Sequence, residues 1–312
     1  GQATPENMMV MNMKNVRILK ILSVFLAMFW VLQMWSLPAA ATAADPSETA
    51  ATEDTAPTES APTESEATET AAPTAAPSHV DMDSNAGVDA PRALGGPDQL
   101  DFDAEALLLL ELNSETMVYA KNIDTRREPA SLTKVMTCLL ALEHGTLTDT
   151  VTVSEEALHD LDPSGSSSGL MAGETFTLEQ LLYCLMIESG NDAAAVIAEH
   201  IADSEAAFVE MMNAKAMELG CTGTHFANAH GLHDDEHYTT ARDLAKIMMA
   251  ALEYEKFQEI YSTNRYTLPA TNLHEERVLV TTNYLIDASF TADYYDSRVI
   301  GGKTGFTTPA GR

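Results

Sequence analysis

Ser131 and Lys134 stand three residues apart in Ser131-Leu132-Thr133-Lys134. On a helix, positions i and i+3 share one face, so the lysine amine can reach the serine hydroxyl. That is the pairing nucleophilic catalysis needs. A serine is a poor nucleophile until a base takes its proton, and a lysine is a base only when desolvation or a nearby cation lowers its pKa. Ser189-Gly190-Asn191 adds a second hydroxyl and an amide on a glycine-containing break between two helical stretches. Lys303-Thr304-Gly305, following Gly301-Gly302, adds a cation and a hydroxyl suited to a carboxylate, with glycines that let a bound chain come close. Each motif alone has a plainer reading: a cap serine with a surface lysine, a turn with an Asn cap, and an uninformative tripeptide.

The elements that must position these residues follow from periodicity and caps. Leu107–Leu112 and Thr116–Ala120 flank Asn113-Ser114-Glu115 and read as two strands joined by a tight turn. Pro129, apolar residues at Leu132, Val135, Met136, Leu139, Leu140 and Leu142, and Gly145 at the exit predict a helix that begins at the Ser131 motif. Its N-terminus would aim backbone N–H groups at developing negative charge. Thr177-Leu178-Glu179-Gln180 is a capping box opening a helix to Ile187. Further helices are expected over Asp192–Ile201, over Ser204–Leu219 before Gly220, and from Thr240 to about Glu253. Arg265–Leu268 and Arg277–Thr281 read as strands, and Lys303-Thr304-Gly305 is placed in a late strand. Strands at both ends of a helical middle predict an α+β domain whose antiparallel sheet mixes early and late strands.

In their order, S-x-x-K, S-x-N and K-T-G form the set shared by penicillin-binding proteins and class A β-lactamases. The surrounding residues narrow the choice. Glu128-Pro129-Ala130-Ser131-Leu132-Thr133-Lys134, Ile187-Glu188-Ser189-Gly190-Asn191-Asp192-Ala193-Ala194 and Gly302-Lys303-Thr304-Gly305-Phe306-Thr307 resemble the D-alanyl-D-alanine carboxypeptidases of the low-molecular-weight penicillin-binding class. So do Asn228-Ala229-His230-Gly231-Leu232-His233, His237-Tyr238-Thr239-Thr240-Ala241-Arg242-Asp243-Leu244, Gly165-Ser166-Ser167-Ser168-Gly169-Leu170 and Thr282-Asn283-Tyr284-Leu285.

The resemblance implies a DD-peptidase/β-lactamase-like fold, an antiparallel sheet with a helical subdomain. It implies a serine peptidase acting on peptidoglycan stem peptides that end in D-Ala-D-Ala, with β-lactam antibiotics as covalent inhibitors and no cofactor or metal. Ser131 would attack the penultimate D-Ala carbonyl with Lys134 as general base, and water would later hydrolyse the acyl-enzyme. Ser189 would pass protons and Asn191 would hold the substrate amide. Lys303, Thr304 and Gly305 would bind the terminal carboxylate region. The backbone N–H groups of Ser131 and Phe306 would form the oxyanion hole. A cationic Lys303 would also help lower the pKa of Lys134.

Two rival readings and two residue clusters qualify that expectation. A class A-like β-lactamase shares the three motifs, but Gly190 stands where those enzymes usually carry Asp, and no counterpart of their deacylating Glu loop is evident. An inactive penicillin-binding or wall-binding fragment is the other alternative. The family continues past the Ala310-Gly311 block whereas this sequence stops at Arg312, so a C-terminally truncated catalytic domain is expected. His225, His230, His233 and His237 invite a zinc reading, yet no H-E-x-x-H is present, and a structural role is expected. Cys138, Cys184 and Cys221 fall in apolar helical contexts or at a helix exit and read as buried free thiols.

The front of the chain has a different character. Lys14, Arg17 and Lys20 precede an apolar run from Ile21 to Leu37, and small residues follow at Ala39–Ala43. That is the pattern of a secretory signal or membrane anchor, assigned to residues 1–43. Residues 44–97 are rich in Ala, Thr, Glu and Pro, with eleven acidic residues and no Lys or Arg between Asp45 and Pro91. Such a segment has too little to bury to offset the entropy of folding and is expected to be an extended linker. Of the net charge of −30, about −21 then falls on residues 92–312, which hold the catalytic domain, residues 98–312. Its acidity excludes a nucleic-acid partner. The expected location is exported, at the outer face of a bacterial membrane or in the cell wall.

Overall fold

The computed structural model describes residues 104–311, except 114, 115, 160 and 290–292. The expected signal and linker, residues 1–43 and 44–97, lie outside the described residues. Strands β1 (Leu107–Glu111) and β2 (Thr116–Lys121) form an antiparallel hairpin with a register shift between Leu109 and Leu110. A 3-10 turn, Ala130–Thr133, leads into α1 (Lys134–His144). Then come β3 (Thr150–Thr152), α2 (Glu155–His159), β4 (Thr175–Thr177), α3 (Leu178–Ile187) and α4 (Asn191–Ala202). The chain continues through α5 (Glu205–Glu218), α6 (Ala241–Leu252), α7 (Glu255–Ser262), β5 (Arg265–Leu268) and β6 (Arg277–Val280).

The helices sit where their caps put them. Thr177 accepts from Gln180 N while the Gln180 side chain accepts from Thr177 N, the reciprocal capping box. Ser204 and Thr240 cap α5 and α6 in the same manner, accepting from Ala207 N and Asp243 N. Helix α1 is apolar nearly all round and buried from Val135 to Ala141, as a helix at the centre of a bundle must be. Helices α3 and α4 bury Leu181, Leu182, Leu185, Ala194 and Ile197 around it. Cys138, Cys184 and Cys221 are buried free thiols of this core. Burial pushes the Cys184 and Cys221 thiols up to about 12.

The sheet differs from expectation. Among the described residues the strands form three separate antiparallel pairs, β1–β2, β3–β4 and β5–β6, and no early strand pairs with a late one. Residues 299–306, with Lys303-Thr304-Gly305 among them, form no regular strand. That stretch is tied by side chains: the Thr304 hydroxyl meets that of Thr282 at 2.5 Å, and Lys303 reaches Ser189. The first helix also opens differently. Ser131 lies on the 3-10 turn, one residue pair ahead of the α-helix proper.

Candidate active site

Lys134 is the organising group. It is fully buried, and its Nζ lies 3.2 Å from Ser131 Oγ, 2.7 Å from Asn191 Oδ1 and 2.5 Å from the His230 carbonyl oxygen. Burial pushes its pKa well below the ordinary lysine value; the positive Lys303 pushes the same way, and Asp192 opposes them. A neutral amine has two hydrogens and one lone pair. The Asn191 and His230 oxygens can only accept, so they take the two hydrogens and the lone pair is left for the Ser131 hydroxyl. The geometry therefore presents a lysine set to receive a proton from serine.

The Ser131 turn is held in a strained shape. Ala130, just before the serine, has φ +48, a left-handed conformation that costs a residue with a Cβ about 1–2 kcal/mol. The loop carrying His230 packs beneath it. Gly231 has φ +86, and a Cβ there would lie 1.9 Å from the Ala130 carbonyl oxygen, so only glycine fits. The same loop accepts from Thr137 Oγ1 through the Ala229 carbonyl at 2.6 Å and faces Thr133 Oγ1 with His237 Nε2 at 2.7 Å.

The second motif turns between α3 and α4. Ser189 is buried with φ +63, which swings its hydroxyl away from either helix and onto Lys303 Nζ, 2.9 Å away. A Cβ on Gly190 would lie 2.6 Å from Asp192 Oδ1 and 2.7 Å from Ser168 Oγ, so a larger residue there would have to displace those side chains. Buried Asp192 then anchors the 165–170 loop by accepting from Ser167 Oγ at 2.6 Å, Ser168 N at 3.0 Å and Leu170 N at 3.1 Å. Asn191 N donates to the Ser166 carbonyl at 2.8 Å. With Asn191 Oδ1 spent on Lys134, its Nδ2 is the end left for another acceptor.

The third motif closes the opposite wall. Lys303 keeps part of its surface in solvent, yet burial of its ammonium lowers its pKa to about 7. Thr304 is exposed, and a Cβ at Gly305 would lie 3.2 Å from the Pro129 carbonyl oxygen and 3.3 Å from Leu132 N. The 303–305 stretch therefore abuts the Ser131 turn. Phe306 follows directly, with its side chain 59% exposed.

All the residues singled out in the three motifs thus meet in one place. The histidines hold structure here. His237 Nδ1 accepts from Ala227 N at 3.0 Å, His230 Nδ1 accepts from Leu232 N at 3.1 Å, and His225 Nδ1 lies 2.6 Å from the Glu236 carbonyl oxygen. Among the described residues, no group of three His, Cys, Asp or Glu side chains is placed to hold a metal ion. Sequence reasoning missed the His230 carbonyl as a partner of Lys134, since a backbone atom leaves no residue-type signal. The His230-Gly231 pair was its one trace.

A half-buried serine set against a buried lysine amine, with a second Ser–Lys pair beside it, defines a serine hydrolase of the acyl-transferring kind. The comparisons then give the family. The chain belongs to the Peptidase S11 family, D-alanyl-D-alanine carboxypeptidase, whose model matches residues 94–312. It is 38% identical over 217 residues to the D-alanyl-D-alanine carboxypeptidase DacF of Bacillus subtilis, covering 68% of this chain and 53% of that protein. It is 35% identical over 219 residues to the D-alanyl-D-alanine carboxypeptidase DacA of Escherichia coli, covering 67% of this chain and 51% of that one. This chain thus spans about half the length of these curated relatives. Among solved structures, a Streptomyces DD-transpeptidase superposes with a TM-score of 0.58 at 30% identity, covering 64% of this chain and 78% of that one. A D-alanyl-D-alanine carboxypeptidase from Mycobacterium tuberculosis does so with a TM-score of 0.61 at 30% identity, covering 69% and 78%. The fold is the α+β fold of these DD-peptidases.

Proposed function

We propose that this chain is the catalytic region of a serine-type D-Ala-D-Ala carboxypeptidase that removes the terminal D-alanine from peptidoglycan stem peptides. The observation that carries the reading is the buried Lys134 amine, whose two fixed acceptors leave its lone pair facing Ser131 Oγ. Ser131 Oγ attacks the carbonyl carbon of the penultimate D-Ala as its proton passes to Lys134 Nζ. The carbonyl oxygen becomes an oxyanion held by the Ser131 and Phe306 backbone N–H groups. The proton then travels by way of Ser189 to the leaving amine, the C–N bond breaks, and D-alanine departs. Water attacks the ester, and Lys134 accepts its proton and returns it to Ser131.

The rest of the site fits the same substrate. A chain ending in a carboxylate finds the Lys303 ammonium and the exposed Thr304 hydroxyl on one wall, and Asn191 Nδ2 for a backbone carbonyl on the other. β-Lactams, which offer a strained amide and a carboxylate, would acylate Ser131. The basic flank and apolar run of residues 14–37 support export to where such peptides occur. Incubation with a fluorescent penicillin is expected to label the protein and not Ser131→Ala, and a tripeptide ending in D-Ala-D-Ala is expected to release D-alanine. Labelling of Ser131→Ala, or rapid turnover of the penicilloyl adduct without D-alanine release, would contradict the assignment.

A further inference from the structure

We propose that His237 is a positioning residue for acylation: its Nε2–H grips Thr133 and so fixes the turn that presents Ser131 to Lys134. The proposal rests on the reading of Ser131 as nucleophile. Ala227 N donates to His237 Nδ1 at 3.0 Å, which makes Nδ1 the unprotonated nitrogen and places the ring hydrogen on Nε2. That hydrogen is donated to Thr133 Oγ1 at 2.7 Å. Both side chains are buried, with His237 2% and Thr133 0% exposed, so neither bond competes with bulk water.

Thr133 occupies the N-cap of α1 yet makes no side-chain cap bond. Its backbone is already helical, running on from the 3-10 turn, so its hydroxyl is free of any capping duty. Here its hydroxyl is turned to a histidine 104 residues away in sequence. The Ala130–Thr133 turn starts from a left-handed alanine and needs an outside hold to keep that shape. The His237 ring is itself locked, lying edge-on to Phe226 with centroids 5.6 Å apart. Charged or titratable groups facing it are Asp234, His225, His230 and His233 from its own loop and Lys134 from α1. None of these replaces the bond to Thr133.

The test uses four variants of the whole protein: His237→Leu, His237→Gln, Thr133→Val and the double variant His237→Leu/Thr133→Val. Stopped-flow labelling with a fluorescent penicillin separates the binding constant Kd from the acylation rate k2. A displaced nucleophile costs rate and not affinity, so His237→Leu is expected to lower k2 about tenfold to a hundredfold with Kd unchanged. His237→Gln, whose amide nitrogen reaches the place of Nε2, is expected to keep most of the rate. Thr133→Val should match His237→Leu, and the double variant should fall no further than either single one. In the wild type, 15N-histidine spectra should show His237 protonated at Nε2. The proposal is overturned by wild-type k2 in His237→Leu and Thr133→Val, by equal losses in His237→Gln and His237→Leu, by additive losses in the double variant, or by a proton on Nδ1. Labelling of Ser131→Ala instead overturns the nucleophile reading, and with it the catalytic part of the proposal; failure of the His237 series alone leaves Ser131-dependent labelling intact.

Discussion

The two walls of the cleft are built in opposite ways. Lys134 sits on a helix buried from its own position to Ala141, and its amine is gripped by oxygens from α4 and from the His230 loop. The Lys303-Thr304-Gly305 stretch belongs to no regular strand, flanks Ile300 at 78% exposure and Phe306 at 59%, and is tied by Thr304 to Thr282 and by Lys303 to Ser189. The first wall shifts a pKa, which needs burial and fixed dipoles. On the proposed function the second meets a ligand's charge through the exposed Thr304, while its Lys303 also helps lower the Lys134 pKa. Damage to the first should therefore appear in the chemical step, and damage to the second at Thr304 in affinity.

The largest effect expected on that division is from Lys134→Ala. Loss of a positioned general base should slow acylation about 10²–10⁴-fold while penicillin still binds reversibly, because Lys303 and Thr304 remain. Stopped-flow separation of k2 from Kd checks it, and a change confined to Kd would erase the contrast between the walls. Next comes the scaffold. Glu174 is fully buried and accepts from Arg277 Nη2 at 3.1 Å, Thr271 Oγ1 at 2.7 Å and Met171 N at 3.0 Å. Glu174→Ala strands the arginine and should cost about 3–5 kcal/mol in denaturant unfolding.

A smaller effect is expected from Thr304→Val, on the exposed wall. One hydrogen bond to a carboxylate is worth about 1.5–3 kcal/mol, so KM for a D-Ala-D-Ala tripeptide should rise about tenfold to a hundredfold with kcat little changed. A fall in kcat without a rise in KM would place Thr304 with the chemistry instead. A last expectation concerns pH and the whole domain, not either wall alone. Burial, the leading cause in both, lowers His230 to about 3 and His237 to about 4, from an ordinary 6.5. As pH falls below 6.5 the unfolded chain takes up these protons and the folded one does not. Stability is thus whole above 6.5 and is lost progressively toward 4 and 3, by at most about 1.4 kcal/mol per pH unit for each histidine. Denaturant midpoints at pH 7, 6 and 5 should show this slope, and His237→Leu should reduce it.

Sequence reached the buried wall better than the exposed one, for a physical reason. Thr177 with Gln180, Ser204 and Thr240 state their helices through local hydrogen bonds, and the structure begins α3, α5 and α6 at the next residue. The three motifs were likewise readable because their chemistry is in the side chains. Helix α7, Glu255–Ser262, went unread because only Phe257 and Ile260 are buried and its surface is polar. The short β3 and β4 were missed because three residues carry almost no alternation. The late strand was expected from the glycine-rich approach to Lys303, but a ladder depends on a partner elsewhere, which no local pattern records. The positive φ at Ala130 and Ser189 was invisible for the same reason: the groups packed on them, the Gly231 loop and Lys303, are distant in sequence.

The central claim is that Lys134 is an uncharged base in the folded protein. The direct measurement is an NMR titration of the lysine Cε–Hε resonances, with the Lys134 signal assigned by its absence in Lys134→Arg. The account predicts that Lys134 titrates well below 10.5, the ordinary lysine value, while exposed lysines keep their usual range. A Lys134 signal that titrates with the exposed lysines would mean an ammonium at working pH, and would contradict the mechanism built on it.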